Sequence, residues 1–295
     1  MSAPQPMPTI TQAMIDAYDE YTHLTLDRRG FMEKLTRLAG SGAAAAAIAP
    51  LLAANAAHAQ IVAEDDARLL AEDIAWPGAG GELRGYLVRP ADRSGPLPAV
   101  IVVHENRGLN PHIRDVARRM ALEGFVALAP DFLSPLGGTP ADEDEARQMF
   151  GRLDAAEVAA DGVATVAFLE GHDATNGNVG AVGFCWGGGT VNDLAVAAPS
   201  LKAGVAYYGR QARAEDVPKI GAALLLHYAG LDARINAGID AYRAALEAAG
   251  KEFAIHVYEG ANHAFNNDTS EARYDKAAAD LAWERTVAFF REKLA

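Results

Sequence analysis

The stretch Val179-Gly-Ala-Val-Gly-Phe-Cys185-Trp-Gly-Gly-Gly189 decides how the rest of the chain is read. Val179 to Phe184 is an apolar run of strand length, and a helix opens after it. Between the two lies Gly183-x-Cys185-x-Gly187, the nucleophile-elbow pattern with Cys in place of Ser. An elbow strains the backbone at the nucleophile and brings strand and helix close together, so the flanking positions must lack a Cβ. It lifts the side chain above the sheet and aims a helix N-terminus at it. The positive potential there favours a thiolate and, later, an oxyanion. A lone Cys is also a common small buried hydrophobe, and Gly-rich strand–helix turns also bind phosphate. The partners of Cys185 separate these readings.

Working outward, the chain alternates strands with helices. Glu82 to Arg89 alternates apolar and polar residues, as a half-exposed strand does. After a turn at Arg93-Ser-Gly-Pro-Leu-Pro98, the β-branched run Ala99 to Val103 reads as a strand buried on both faces of a parallel sheet. Pro111 to Glu123 has helical spacing and stops at Gly124; Phe125 to Ala129 is the next strand. Helical stretches follow at 141–150 and 154–171, then the elbow strand and a helix to Ala198. Ala203–Tyr208, Ala222–Tyr228 and Phe253–Tyr258 are strands, Ile239–Ala249 is helical, and an amphipathic helix from Ala277 to Leu294 closes the chain. This is an α/β chain: a mostly parallel central sheet with helices on both faces, and its sites belong at the carboxyl ends of the strands.

The chain has 295 residues, a formal net charge of −13 and one Cys. The length suits one large α/β domain with an extension. The acidic balance argues against nucleic acid and anionic membranes as partners. A single Cys excludes an internal disulfide and any Cys-based zinc site, and no His/carboxylate cluster has ligand spacing, so no metal or other cofactor is expected.

Residues 1–59 read as a leader and 60–295 as the catalytic domain. Asp27-Arg28-Arg29-Gly30-Phe31-Met32 resembles a twin-arginine export signal, preceded by a stretch longer than such signals usually carry. An Ala/Gly-rich apolar run spans Leu38 to Ala54, and Ala57-His58-Ala59 fits a cleavage site before Gln60. Gly40, Ser41, Gly42, Pro50 and Asn55 dilute the run's hydrophobicity, which argues against a membrane anchor. A periplasmic mature protein is expected, without stable membrane association.

A Cys nucleophile needs a base, and the base an orienting carboxylate. Leu224-Leu-Leu-His-Tyr-Ala-Gly-Leu-Asp232 is a strand running into a Gly-containing turn with an Asp, and Tyr258-Glu-Gly-Ala-Asn-His263 is the last strand followed by a loop His. Both follow Cys185 in the order acid, then His. His227 and His256 are the rival bases, but each sits inside a strand run; Asp240, the rival acid, lies on a helical stretch. His23 and His58 fall in the leader.

From about Leu83 to the end, the sequence resembles the dienelactone hydrolase family of α/β-hydrolases. The motifs are Val103-His-Glu105-Asn-Arg-Gly108, Gly183-Phe-Cys185-Trp-Gly-Gly188, Tyr207-Tyr-Gly209, Gly230-Leu-Asp232 and Asn262-His263-Ala-Phe265. The resemblance implies a Cys185–His263–Asp232 triad, a Glu105 that holds the thiol until substrate binds, and an oxyanion hole from the backbone N–H groups of Asn106 and Trp186. Such a guard suits an oxidising periplasm, where a permanent thiolate is at risk. His104 is expected to be structural, Arg107 a solvent or loop contact, and Trp186 and Trp283 packing residues. Muconate-pathway members grip a substrate carboxylate with two arginines and a tyrosine. The corresponding positions fall near Glu143, Arg147 and Asn267, so the arginine positions are not kept in kind and the acyl specificity stays open. Arg147 is the candidate for anion binding, with pairing to Glu143 or Asp144 as its alternative; Tyr207 is the candidate for the pocket edge, with packing against the sheet as its alternative.

The function expected is hydrolysis of a small-molecule ester or enol-lactone through an acyl-thiol. The alternatives are a broader acyl esterase, thioesterase or peptidase on the same fold, and a non-catalytic secreted binding protein.

Overall fold

The computed structural model describes residues 9–23, 26–53, 60–93 and 95–295. The expected cleavage motif at 57–59 and the middle of the turn at Ser94 lie outside these residues.

One eight-stranded sheet carries the molecule, built from β1 (Leu69–Pro77), β2 (Glu82–Pro90), β3 (Leu97–Val103), β4 (Val126–Asp131), β5 (Thr175–Phe184), β6 (Ala203–Tyr207), β7 (Ala223–Ala229) and β8 (Phe253–Tyr258). Their order is β1-β2-β4-β3-β5-β6-β7-β8. β1 and β2 pair antiparallel, β2 meets β4 antiparallel, and every later pairing is parallel. The expected mostly parallel sheet is therefore present, with an antiparallel edge. β1 had no signal in the sequence, because six of its nine residues face solvent and follow no period. β5 reaches back to Thr175, pairing with Leu97 beyond a register shift, and so begins earlier than its apolar run.

Helices cover both faces because successive side chains of the buried strands point to opposite sides. Ala99, Ile101 and Val103 of β3 join the core beneath α6 (Ala155–Glu170), α7 (Trp186–Ala197) and α9 (Ile239–Ala248). Val100 and Val102 join the opposite core, beneath α4 (Pro111–Leu122) and α10 (Lys276–Lys293). Fully burying one such Val or Ile stabilises the fold by about 2 kcal/mol.

The first helices form a separate small core. α1 (Gln12–His23), α2 (Arg28–Ala39) and α3 (Gly42–Leu52) bury Tyr18, Tyr21, Phe31, Leu35, Ile48 and Leu52 among themselves, with Ala272 of the main body against them. Ser41 and Asp27 cap α3 and α2 through their side chains. Among the described residues no single helix is long and apolar enough to cross a membrane, although α2 and α3 pass that test as a pair bent by 113°.

Candidate active site

At the carboxyl end of β5 the chain turns sharply into α7, and Cys185 sits in the turn at φ 56°, ψ −112°. Few non-glycine residues tolerate that conformation, which costs about 1–3 kcal/mol. Its neighbours make it possible. A Cβ on Gly183 would lie 2.1 Å from the carbonyl oxygen of Gly187, and one on Gly187 would lie 2.4 Å from that of Val103. Strand, elbow and helix are thus in backbone contact, as the glycine spacing required.

Two loops deliver the expected partners. Asp232 follows β7 and caps the short helix α8 (Ala233–Asn236), accepting a hydrogen bond from the Ile235 N–H at 3.1 Å. His263 follows β8, and its Nδ1 meets Asp232 Oδ2 at 2.5 Å, with both side chains almost sealed from solvent. Burial acts to lower the His263 pKa, but Asp19, the Cys185 sulfur and the Asp232 hydrogen bond together raise it to about 10. Burial likewise acts to raise Asp232, and the His263 hydrogen bond overrides it, leaving the carboxyl below its usual range. The other ring nitrogen of His263, Nε2, is buried without a hydrogen-bond partner among the described residues. A nitrogen atom of His263 lies within 4.8 Å of Cys185 Sγ.

The sulfur itself is in contact with a different ring. Nε2 of His23, the last residue of α1, lies 3.0 Å from Cys185 Sγ, and the His23 and His263 rings meet edge-on at 4.5 Å. Burial, with His263 and Arg234 nearby, pushes the His23 pKa well below its ordinary value. His23 carries no motif and sits 162 positions from Cys185, so only tertiary packing reveals it. The side-chain donor atoms of His23, Cys185 and His263 lie within 4.8 Å of one another, as do those of Asp19, Asp232 and His263. Sequence spacing hid both sets.

Glu105 is buried below β3, and its Oε2 accepts a hydrogen bond from Asn267 Nδ2 at 2.8 Å. Among the described residues the sulfur shares a hydrogen bond with His23 of α1, while Glu105 is paired with the residue that stands near an arginine position of the muconate-pathway enzymes. Asn106 and Trp186 line the cavity beside Cys185. The Asn106 side chain donates to the Thr22 carbonyl at 2.8 Å, tying α1 to the loop after β3. Trp186 stacks on His104 at 5.4 Å and packs against Phe150 and Phe132, so it is both packing and pocket wall. His104 is structural: its Nδ1 donates to the Glu105 carbonyl and its Nε2 accepts from the Phe132 N–H.

The cavity has a volume of about 430 Å³, of small-molecule size. Arg147 lines it, on α5 (Glu143–Phe150), donating to the Tyr21 carbonyl and standing 4.6 Å over the Tyr21 ring. Among the described residues its Nε is buried without a hydrogen-bond partner, 3.9 Å from the Asp144 carboxylate. Arg210 and Arg234 line the same cavity and were not expected. Tyr207 corrects an expectation. It is fully buried, its hydroxyl bonded to Thr286 of α10 at 2.7 Å, and Tyr208 lines the cavity instead. Alternation along β6 turns Tyr207 towards the α10 face, and the next residue, at φ 39°, faces the site. Arg107 is likewise buried rather than solvated, donating to the Glu143 carbonyl. His227 is locked in the core between Tyr258 and Thr286, His256 stacks on it from β8, and Asp240 is exposed on α9, so none of the three rivals lines the site.

The comparisons with known proteins agree with this architecture. The model of the dienelactone hydrolase family matches residues 83–294. An Escherichia coli O157:H7 protein named "Putative carboxymethylenebutenolidase" is 36% identical over 257 residues, which cover 81% of this chain and 93% of that one. The "Putative hydrolase fragment YghX" of Escherichia coli K12 is 52% identical over 112 residues, 37% of this chain and 96% of the fragment. A crystal structure described as "Putative Dienelactone Hydrolase" from Klebsiella pneumoniae superposes with a TM-score of 0.70 at 32% identity, covering 76% of this chain and 98% of that one. With an elbow cysteine, a buried His–Asp pair and a pocket at the strand ends of this sheet, the chain belongs to the dienelactone hydrolase family and is a hydrolase acting on ester or lactone bonds.

Proposed function

We propose that the enzyme hydrolyses a carboxylic ester or enol-lactone by acyl transfer through Cys185, with His263 as base and Asp232 as its orienting carboxylate. The observation that carries this reading is the His263–Asp232 contact of 2.5 Å beside the elbow sulfur, with His263 Nε2 buried and unpartnered among the described residues. An imidazole anchored at Nδ1 by a carboxylate presents Nε2 in one fixed orientation.

The sulfur attacks the carbonyl carbon, and the carbonyl π electrons move onto oxygen. The resulting oxyanion is received by the backbone N–H groups of Asn106 and Trp186, the second at the N-terminus of α7. Losing one such donor typically costs on the order of a hundredfold or more in rate. Collapse breaks the bond to the leaving oxygen and leaves an acyl-thiol. Acylation removes the sulfur's influence, one of those that raise His263, so the ring's proton affinity falls, it releases its proton to solvent, and the neutral ring can then take a proton from the attacking water. The water oxygen then attacks, the C–S bond breaks, and the sulfur recovers its proton.

Arg147, Arg210 and Arg234 around one cavity favour a substrate that carries an anionic group. Glu105, fixed by Asn267, sets negative charge beneath the site and keeps the loop after β3 in register with the elbow. Export through a twin-arginine pathway to the periplasm is part of the proposal: the Arg28 and Arg29 side chains are 77% and 88% exposed, so the pair is readable on the folded chain.

A panel of ester, enol-lactone and thioester substrates, with and without a carboxylate, tests the reading against the Cys185→Ala variant. Turnover of esters or lactones that vanishes in the variant is the expected result. Unchanged turnover would remove the mechanism, and saturable binding with no turnover of any class would favour a binding protein. Fractionation of cells expressing the full chain tests location. A cytoplasmic product, or one unaffected by changing Arg28 and Arg29 to Lys together, would remove the export proposal.

A further inference from the structure

We propose that His23 is a catalytic residue: its Nε2 holds the Cys185 thiol hydrogen at rest and takes that proton as the sulfur attacks. The proposal rests on Cys185 being the nucleophile, as above. It makes α1, read from sequence as part of a removable leader, a working wall of the active site.

The hydrogen bonding of the ring fixes which nitrogen bears hydrogen. His23 Nδ1 lies 3.1 Å from the backbone carbonyl oxygen of Asp19, an atom that can only accept, 3.6 Å from the Asp19 carboxylate, and 2.8 Å from the Thr22 hydroxyl oxygen, whose own proton goes to the Tyr18 carbonyl at 3.0 Å. Nδ1 therefore carries the N–H, and Nε2 presents a lone pair. That lone pair points at Sγ from 3.0 Å, within sulfur hydrogen-bond range, so the sulfur is the donor and rests as a thiol. A backbone carbonyl here orients the ring as Asp232 orients His263. The family resemblance gives the guarding of the thiol to Glu105, but that carboxylate is bonded to Asn267. A resting thiol is also the form that resists oxidation.

α1 is too short to hold this position by itself, since isolated helices of its length are marginal in water. It is fastened along its length. Gln12 donates to the Asn262 side chain at 2.6 Å, next to His263. The Arg273 guanidinium lies 4.9 Å over the Tyr18 ring, the Tyr21 hydroxyl bonds Asp144, and Asn106 holds the Thr22 carbonyl. These ties end one residue before His23. The helix does not plug the site: His23 and Cys185 stand together on the wall of the 430 Å³ cavity, so a carbonyl can approach the sulfur without displacing the ring.

The two imidazoles then divide the proton work. In acylation the S–H proton passes to His23 Nε2 as the S–C bond forms, and it leaves on the departing oxygen as the C–O bond breaks. In deacylation His263 Nε2 takes a proton from water and returns it to the sulfur as the C–S bond breaks. Processing before Gln60 would remove His23 and leave the deacylation half intact.

Because Cys185 is the only cysteine, alkylation of the full chain by iodoacetamide reports on this sulfur alone. Alkylation and the burst and steady phases of p-nitrophenyl acetate turnover would be followed from pH 5 to 9 in the wild type, His23→Ala, His23→Gln and Cys185→Ala. In His23→Ala, acylation should slow on the order of a hundredfold with deacylation unchanged, and added imidazole should restore part of it. His23→Gln accepts the S–H bond but cannot take the proton, so it should be equally slow and resist rescue. Acylation as fast or faster in both variants would overturn the proposal and make α1 a mere cover. Hydrolysis surviving in Cys185→Ala would instead overturn the reading on which it rests.

Discussion

Asn267 donates from Nδ2 to the Oε2 of Glu105 at 2.8 Å, both side chains being buried, while its own Oδ1 accepts from the N–H and hydroxyl of Thr269. One amide thus joins the loop after His263 to the loop after β3, in the small pocket that Cys185 and His263 also line. A position that lies near an arginine in the muconate-pathway enzymes serves here to neutralise an internal need, pairing a carboxylate that would otherwise be buried alone.

Asn267→Ala should therefore lower stability by about 2 kcal/mol, the usual cost of stranding a buried charged acceptor. Urea unfolding measures it. The double variant with Glu105→Gln should recover part of the loss, because no charge is left unpaired; a double variant no more stable than Asn267→Ala would mean the amide matters only for the Thr269 turn.

Asp232→Asn should reduce kcat on the order of a thousandfold or more while changing KM little. The amide preserves the shape of the pair but can present N–H to His263 Nδ1, turning the lone pair the wrong way. Steady-state kinetics on an activated ester decide it, and a loss smaller than tenfold would mean that His263 is oriented by something else.

The His263–Asp232 pair also ties stability to pH. His263 is raised from an ordinary 6.5 to about 10 in the folded protein, so the stabilisation it supplies is complete below pH 6.5 and disappears as pH rises through 10. Asp232 is depressed below 3.8, so its share is present above that value and is lost as pH falls. The pair contributes most between about pH 4 and 6.5. Unfolding free energies at pH 6 and pH 9.5 should fall more steeply in the wild type than in His263→Gln; parallel slopes would contradict the assignment.

Gly187→Ala should abolish soluble expression or cost more than about 3 kcal/mol, because the new methyl would sit 2.4 Å from one backbone oxygen and 2.5 Å from another. Neither atom can swing aside as a side chain could. Gly40→Ala, at the end of α2 with open space around it, meets only the strain of its φ of 79° and should cost about 1 kcal/mol. Comparing the two by thermal melts separates contact from conformation; similar losses would mean the elbow relaxes more than its packing implies.

Much of this was legible in the chain. The glycines around Cys185 announced the elbow because a steric requirement at one turn leaves its mark within a few residues. The β-branched runs announced the buried parallel strands, and the order Cys185, Asp232, His263 followed the strand ends, since connectivity is itself sequence. β1 escaped because an exposed edge strand imposes no period. Tyr207 is the pocket-edge candidate by sequence, with packing as its alternative, and Tyr208 faces the site instead, because the strand's facing is set by what packs on each side.

Sequence alone, then, determined the fold class and which residues stand at its strand tips, for those depend on local sterics and on burial repeated along the chain. Tertiary structure decided that His23 meets Cys185 across 162 positions, that Asn267 holds Glu105, and that three arginines share one cavity. Such contacts depend on how separate elements dock. A helix surface that fits a crevice at the far end of the chain leaves no period or spacing by which it could be read in advance.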